Sequence, residues 1–394
     1  MRGDRDLPYW RLSSFYLLYF AALGALIPYF GLYLKSLGHA PAAIGTLMAV
    51  LMGTKIVAPN VWGWVADRRG ERASLVRAGA LLAAAGFAGV LAGSGFWWLA
   101  GVLVVFGFFW NSALPQFEAI TLNHLDARAH RYTRIRLWGS IGFIASVVLV
   151  GRLLDAQGEG LLPYAVLVLL AGIWCASMLV REPRSARQLY REEGLRQVLG
   201  RPEVLALLAV CFLMQASHGP YYAFFSIYLQ DHGYSRTLIG ELWALGVLSE
   251  VVLFACMHRL FERWRLRALF LVCFALTGVR WIVVALFVDS LPLLVGAQVL
   301  HAASFGIYHA VAIQLVHRFF VGRHQGRGQA LYSSMSFGAG GAAGSLASGY
   351  LWSTSGAVAT WFAAAALSGV AFLIVWRWIG TGEAGEAAAT RRWV

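Results

Sequence analysis

Apolar residues run along this chain in long blocks, and polar residues gather in short clusters between them. A helix rises about 1.5 Å per residue, so a block of about twenty residues crosses a bilayer core about 30 Å thick. On that measure the pattern predicts spans near residues 12–34, 41–65, 74–93, 96–125, 131–154, 162–180, 204–229, 236–258, 267–288, 291–319, 327–351 and 356–379. The expected fold class is therefore all-α integral membrane, with twelve transmembrane helices. The longest polar connection begins REPRSARQLYREEGLRQVLGRP and divides six spans from six. It predicts an N-terminal six-helix bundle over 1–180 and a cytoplasmic amphipathic linker over 181–203. A C-terminal six-helix bundle over 204–380 and a disordered tail over 381–394 complete the expected plan.

An internal repeat agrees with that division. Tyr33, Leu34, Gly38, Ile44 and Gly45 recur as Tyr228, Leu229, Gly233, Ile239 and Gly240, an offset of 195 residues (33 to 228). Gly24 and Phe30 recur as Gly219 and Phe225 at the same offset. Parallel six-span halves are a known carrier architecture, with the solute site between them near the membrane midplane.

Composition closes off other classes. Of 394 residues, 59% are hydrophobic and 13% charged, where a soluble domain carries about 25% charge. The net charge of +13 would suit a nucleic-acid binder, but its distribution does not. Arg68, Arg69, Arg72 and Arg77 share one loop region, as do Arg128, Arg131 and Arg134. Residues 181–201, 259–267 and 318–327 and both termini hold most of the rest. The alternate loops hold only Lys35, Arg152 and Arg236. Basic residues gather on the cytoplasmic side of membrane proteins, so both termini are expected there, in a multi-pass cell inner (cytoplasmic) membrane protein. The expected partners are a small-molecule solute, protons and the lipid bilayer, with no nucleic acid, in a monomer.

Cys175, Cys211, Cys256 and Cys273 all lie in apolar runs without metal-ligand spacing and read as packing residues. The first apolar run is expected to be a retained span rather than a cleaved signal. No phosphate-binding loop and no HExxH pattern occurs. An enzyme is therefore not expected, nor a catalytic or metal-ligating set, nor a cofactor other than a proton gradient.

Charged groups inside apolar spans are costly and read as functional by default. Glu118 and Arg136 each stand nine residues from Ala127, in the turn between the fourth and fifth predicted spans. An antiparallel helix pair would set them at one depth as an acid–base pair. Glu250 and Arg280 each stand 15 residues from Arg265, and the same reasoning pairs them between spans eight and nine. His301 and His309 follow in span ten, on either side of its centre. Together these four groups form a candidate proton site, because histidine exchanges protons near neutral pH. The competing reading is a structural ion pair with hydrogen-bonded histidines. Lys55 in span two either draws an anion inward or snorkels. His218, beside Gly219 and Pro220, is a candidate cavity residue. So are several aromatic residues, among them Trp138, Tyr221, Tyr222 and Trp281, although most membrane-protein aromatics serve packing or the interface.

Between spans two and three runs Gly63-Trp-Val-Ala-Asp67-Arg68-Arg69-Gly70-Glu71-Arg72. It resembles the loop signature G-x-x-x-D-R-x-G-R of the major facilitator superfamily. Here Gly63 would allow close helix approach, Asp67 would accept from a neighbouring helix N-terminus, and the adjacent Arg68 and Arg69 would pair with acids on another helix, a charge latch in a gating loop that runs to Gly70. The competing reading is that these basic residues only hold the loop inside. A wider resemblance, to the phenylpropionate permease family and through it to lactose and nucleoside proton symporters, rests on further residues. These are Glu118, Arg136-Leu-Trp-Gly-Ser-Ile-Gly-Phe143, Leu242-Trp243 through Glu250, Arg280-Trp281, Leu300-His301 through Gly306, His309 and Gln329-Ala-Leu-Tyr332. The resemblance implies proton-coupled uptake by alternating access. It assigns Glu118 and Arg136 to solute binding; Lys55, Trp138, His218 and Tyr221 remain candidates from the residues alone. It assigns Glu250, Arg280, His301 and His309 to proton coupling. The acid that the pattern places in span ten is missing here. An aromatic carboxylate such as 3-phenylpropionate is the implied cargo. Sugar or nucleoside symport, drug export and a non-transporting sensor are the alternatives.

Overall fold

The structure, a computed structural model, describes residues 7–125, 131–182, 198–321 and 325–380. The polar turn at Asp126, Arg128 and His130, most of the expected linker, and the expected tail lie outside the described residues. No strand occurs among the described residues.

The helices are α1 (Tyr9–Ser36), α2 (Pro41–Arg69), α3 (Arg72–Ala88), α4 (Phe96–Leu125), α5 (Tyr132–Gln157) and α6 (Leu162–Met178). Span seven comprises α7 (Pro202–Ser217) and α8 (Gly219–Asp231), and spans eight and nine are α9 (Arg236–Arg263) and α10 (Leu266–Leu286). Span ten comprises α11 (Leu291–Val299), a π-helical segment (Ala302–Ile307) and α12 (Tyr308–Phe319). Then come α13 (Gln325–Ser333), a second π-helical segment (Ser334–Gly340) and α14 (Gly341–Trp378).

Eleven stretches are long and apolar enough to cross a membrane. All but the last correspond to one predicted span each. The last, Gln325–Trp378, is 54 residues long and runs through the boundary expected between 351 and 356. Helix-compatible residues continue up to Ser355, and the backbone leaves helical geometry only at Gly356 (φ 83°, ψ 176°). A positive φ of that kind suits glycine. The repeat seen in sequence has a local structural counterpart. Gly38 and Gly233 both adopt left-handed turns, φ 86° and 82°, and Ala40 and Ser235, five residues before Gly45 and Gly240, are both extended with ψ 155°.

Side chains such as Trp97 (84% exposed) and Val168 (71%) point outward from the helices, as a lipid-facing surface requires. Inside, small residues bring helix backbones together. A Cβ on Gly142 would stand 2.1 Å from the Leu17 carbonyl oxygen of α1, and one on Gly344 2.2 Å from that of Ala216 in α7.

Polar links between residues before 181 and residues after 203 gather at the end where α1 turns into α2. Lys35 pairs with Asp231. Arg236 reaches Glu159 at 2.5 Å and Asp155 at 3.8 Å. Asp155 also accepts the backbone N–H groups of Arg236 and Thr237, and Arg152 meets Glu241 at 3.9 Å. All three cations of the sparsely basic loops thus face a carboxylate across the molecule.

Candidate functional site

Glu250 on α9, Arg280 on α10 and His301 at the start of the first π-helical segment meet in the interior. Arg280 Nη1 donates to His301 Nδ1 (2.9 Å) and to Ser304 Oγ (2.9 Å). His301 Nε2 lies 2.6 Å from Glu250 Oε1. A guanidinium has only donors, so Nδ1 accepts and the imidazole proton sits on Nε2, facing the carboxylate. The direct Glu250–Arg280 pair expected from sequence is therefore replaced by a chain in which the histidine stands between them. Equal spacing from a turn fixes depth, not rotation about the helix axis. Tyr221 of α8 closes the site, with Arg280 Cζ 4.4 Å from its ring centroid and its hydroxyl donating to Gln298 Oε1 (3.1 Å). Gln298 also accepts from Arg280 Nη2 (3.3 Å). Gln298 and Ser304 are additional to the sequence candidates. An amide inside the run LPLLVGAQVL was the available signal, since polar groups in spans need a reason.

The π-helical segment sets the two histidines of span ten. Eight residues in a regular α-helix would separate them by about 80° around the axis, whereas one extra residue absorbed in a π turn brings them to within about 20°. The rings stack in order: His301 on Phe305 at 5.7 Å and Phe305 on His309 at 6.2 Å. His309 Nδ1 contacts the Tyr332 hydroxyl (3.0 Å) just before the second π-helical segment.

On the other side of the molecule, Glu118 of α4 accepts from the Tyr132 hydroxyl (3.1 Å). Arg136 of α5 lies flat on Phe20, its Cζ 3.7 Å from the ring centroid, with Tyr16 at 5.9 Å. The two share a neighbourhood but form no direct ion pair, contrary to the pairing expected, because α1 contributes aromatic rings that occupy the guanidinium. Lys55 of α2 contacts the thioether of Met52 (Sδ 3.6 Å) and no carboxylate. Trp138 stands apart from Arg136, its indole N–H donating to the Tyr9 hydroxyl (3.0 Å). His218 lies at the junction of α7 and α8, its ring 4.9 Å from that of Trp281 and 6.4 Å from that of His301.

The profile of the MFS_1 like family matches residues 9–363. The chain belongs to that family. This major facilitator chain is 30% identical to the probable 3-phenylpropionic acid transporter of Escherichia coli (strain K12), over 89% of this chain and 93% of that one. It is 31% identical to the maltose permease of Geobacillus stearothermophilus, over 92% of each. Among solved structures, a mutant of the nucleoside transporter NupG superposes with a TM-score of 0.83 at 15% identity, covering 94% of this chain and 99% of that one. The protein is thus a membrane-embedded transporter of small substrates, and not an enzyme.

The family's signature loop is built differently from the expected latch. Asp67 pairs with Arg72 (2.7 Å), and Arg72 also donates to Gln116 of α4 (2.6 Å). The N-terminus of α3 is capped by Glu182, which accepts from the Ala73 N–H (2.9 Å), rather than by Asp67. Arg68 lies over Trp64, 3.9 Å from the ring centroid. A Cβ on Gly63 would meet nothing within 4 Å, so this glycine makes no close helix approach here. Gly70 ends α2 in a left-handed turn, φ 72°. Gln116 joins this loop to the helix that carries Glu118, a link the sequence signature does not contain.

Proposed function

We propose that this transporter is a proton-coupled symporter of a small organic anion, an aromatic carboxylate such as 3-phenylpropionate. It works by alternating access, as a monomer, in a bacterial inner membrane. The observation that carries this reading is the buried Arg280–His301–Glu250 chain. Glu250 accepts from His301 as a carboxylate; on taking a proton it loses its charge and accepts more weakly from the imidazole, so loading loosens the chain. The anionic cargo is supported by Arg136 and Lys55, two cations inside spans without a carboxylate within ion-pair reach among the described residues. Such groups are expensive in a bilayer unless paired, and a solute carboxylate supplies the partner. The name of the Escherichia coli relative supports the same cargo.

The same reading gives twelve spans. A straight helix over the 54 residues of Gln325–Trp378 would be about 80 Å long, more than twice the hydrocarbon thickness. The break at Gly356 turns it back as spans eleven and twelve. Both termini are then cytoplasmic beside the basic loops, and residues 1–180 and 204–380 form the two rocking bundles.

Proteoliposome uptake of radiolabelled 3-phenylpropionate under an imposed inward proton gradient tests the proposal. Uptake is expected to need the gradient and to be lost in Arg136→Ala. Full gradient-driven accumulation in Glu250→Gln would end the proton assignment. A neutral-sugar reading is favoured by the maltose permease relative, and gradient-driven maltose uptake with no response to 3-phenylpropionate would select it. Proton-driven efflux of either solute would identify an exporter instead.

A further inference from the structure

Span seven breaks at His218, between α7 and the Gly219-Pro220 start of α8. His218 Nδ1 lies 2.8 Å from the Met214 carbonyl oxygen. A carbonyl only accepts, so Nδ1 carries the proton and Nε2 is left as an acceptor, buried and without a protein partner. Three N–H donors of the same neighbourhood are also unpartnered: Gln215 Nε2, Gln298 Nε2 and Arg280 Nε. All four residues are fully buried. Tyrosines bind the carbonyl end of each amide and leave its NH2 group over. Tyr222 donates to Gln215 Oε1 (3.4 Å) and Tyr221 to Gln298 Oε1 (3.1 Å). Buried polar atoms are rarely orphaned, and here the three donors and one acceptor belong to residues that contact one linked group of rings, His218, Tyr221, Tyr222 and Trp281.

A hydroxyl group suits this set, because its two lone pairs accept from two of the three N–H donors while its own proton goes to the imidazole. A carboxylate could accept from the amides but has no proton for His218 Nε2. An ammonium group would face Arg280. We propose that His218, Gln215, Gln298 and Arg280 Nε form a specificity site for a hydroxyl on the cargo. The ring bearing it is seated against Tyr221, Tyr222 and Trp281. The inference rests on the carboxylate reading above: Arg136 and Lys55 hold the anionic end, and the hydroxyl engages spans seven, nine and ten. The cargo class is then a hydroxyaryl carboxylate. Tyr222, the partly exposed member of the rings around His218, marks the side of approach.

The test is competition against radiolabelled 3-phenylpropionate in proteoliposomes of the full chain. Unlabelled 3-phenylpropionate is compared with its three ring-hydroxylated isomers. At least one isomer is expected to compete about tenfold better or more, since a site built to bind a hydroxyl discriminates strongly against the analogue lacking it. That preference ratio is expected to collapse towards one in His218→Phe and in Gln298→Met, and to return in part in His218→Gln, whose amide restores an acceptor. A ratio near one in the unaltered protein, or a ratio unmoved by His218→Phe, overturns the hydroxyl site while leaving the carboxylate reading standing. Failure of every aromatic acid to compete or enter overturns both. The ratio in the unaltered protein decides the matter even if a variant fails to fold.

Discussion

His301 is the residue on which the proposed proton site turns, because it accepts from Arg280 and faces Glu250 with its other nitrogen at once. Replacing it by leucine leaves the Glu250 carboxylate without its partner and Arg280 with only Ser304 and Gln298, and removing one partner of a buried charged pair costs about 3–5 kcal/mol where measured. His301→Leu is therefore expected to lower the thermal unfolding temperature in detergent markedly. His301→Gln, which keeps one donor and one acceptor, is expected to fold near normally while gradient-driven uptake falls by about tenfold or more, within the range of proton-transfer effects. Measuring stability and uptake together separates the two roles. Which titratable groups meet in the interior was legible in the sequence: Glu250, Arg280 and His301 stand out as polar groups inside apolar blocks. Their order in the chain was not, because it depends on helix rotation. For Glu118 and Arg136 the intervening rings come from α1, about a hundred residues away, and no local pattern records them.

At the scale of elements, the span pattern was nearly all legible, since crossing a bilayer forces long apolar blocks. The π-helical segments were not, because composition does not distinguish a π turn from an α turn in a run such as AASFGI. Their effect is geometric, and a deletion tests it. Removing Ala303 takes out the extra residue and leaves the two histidines seven apart, still within about 20° of one face once the segment relaxes to α geometry. Helical content by circular dichroism and gradient-driven uptake are both expected to be retained. Lost uptake with unchanged helical content would show that the π turn itself, and not only the shared face of His301 and His309, is required. Close helix contacts give a second test. Gly344→Val, pressed against the Ala216 carbonyl, is expected to destabilise the protein by about 1–3 kcal/mol, read as a lower midpoint in thermal unfolding.

Across the whole molecule, the carboxylate–cation links between the two sides sit at one end, where α1 turns into α2 and α8 into α9. Their cations, Lys35, Arg152 and Arg236, were visible in the sequence as exceptions to the basic-loop pattern, but their acidic partners lie up to about two hundred positions away. Exposed pairs contribute about 0.2–1 kcal/mol each, so losing one shifts an open–closed balance by at most about fivefold. Asp155→Asn combined with Arg236→Ala is expected to lengthen the distances between spin labels at Ser36 and His232 in pulsed electron resonance. An unchanged distribution would show that apolar packing alone holds that end shut.

The Lys35–Asp231 and Arg152–Glu241 pairs keep between 38% and 64% of their side-chain surface exposed. Charges so placed are screened by dissolved ions, whose reach shrinks from about 10 Å at 0.1 M to about 3 Å at 1 M. The ionic strength of the medium bathing that face thus becomes an effector in its own right. Brine on one side of a vesicle would loosen the closed end and change turnover, with the proton gradient, the solute and the protein all left as they were.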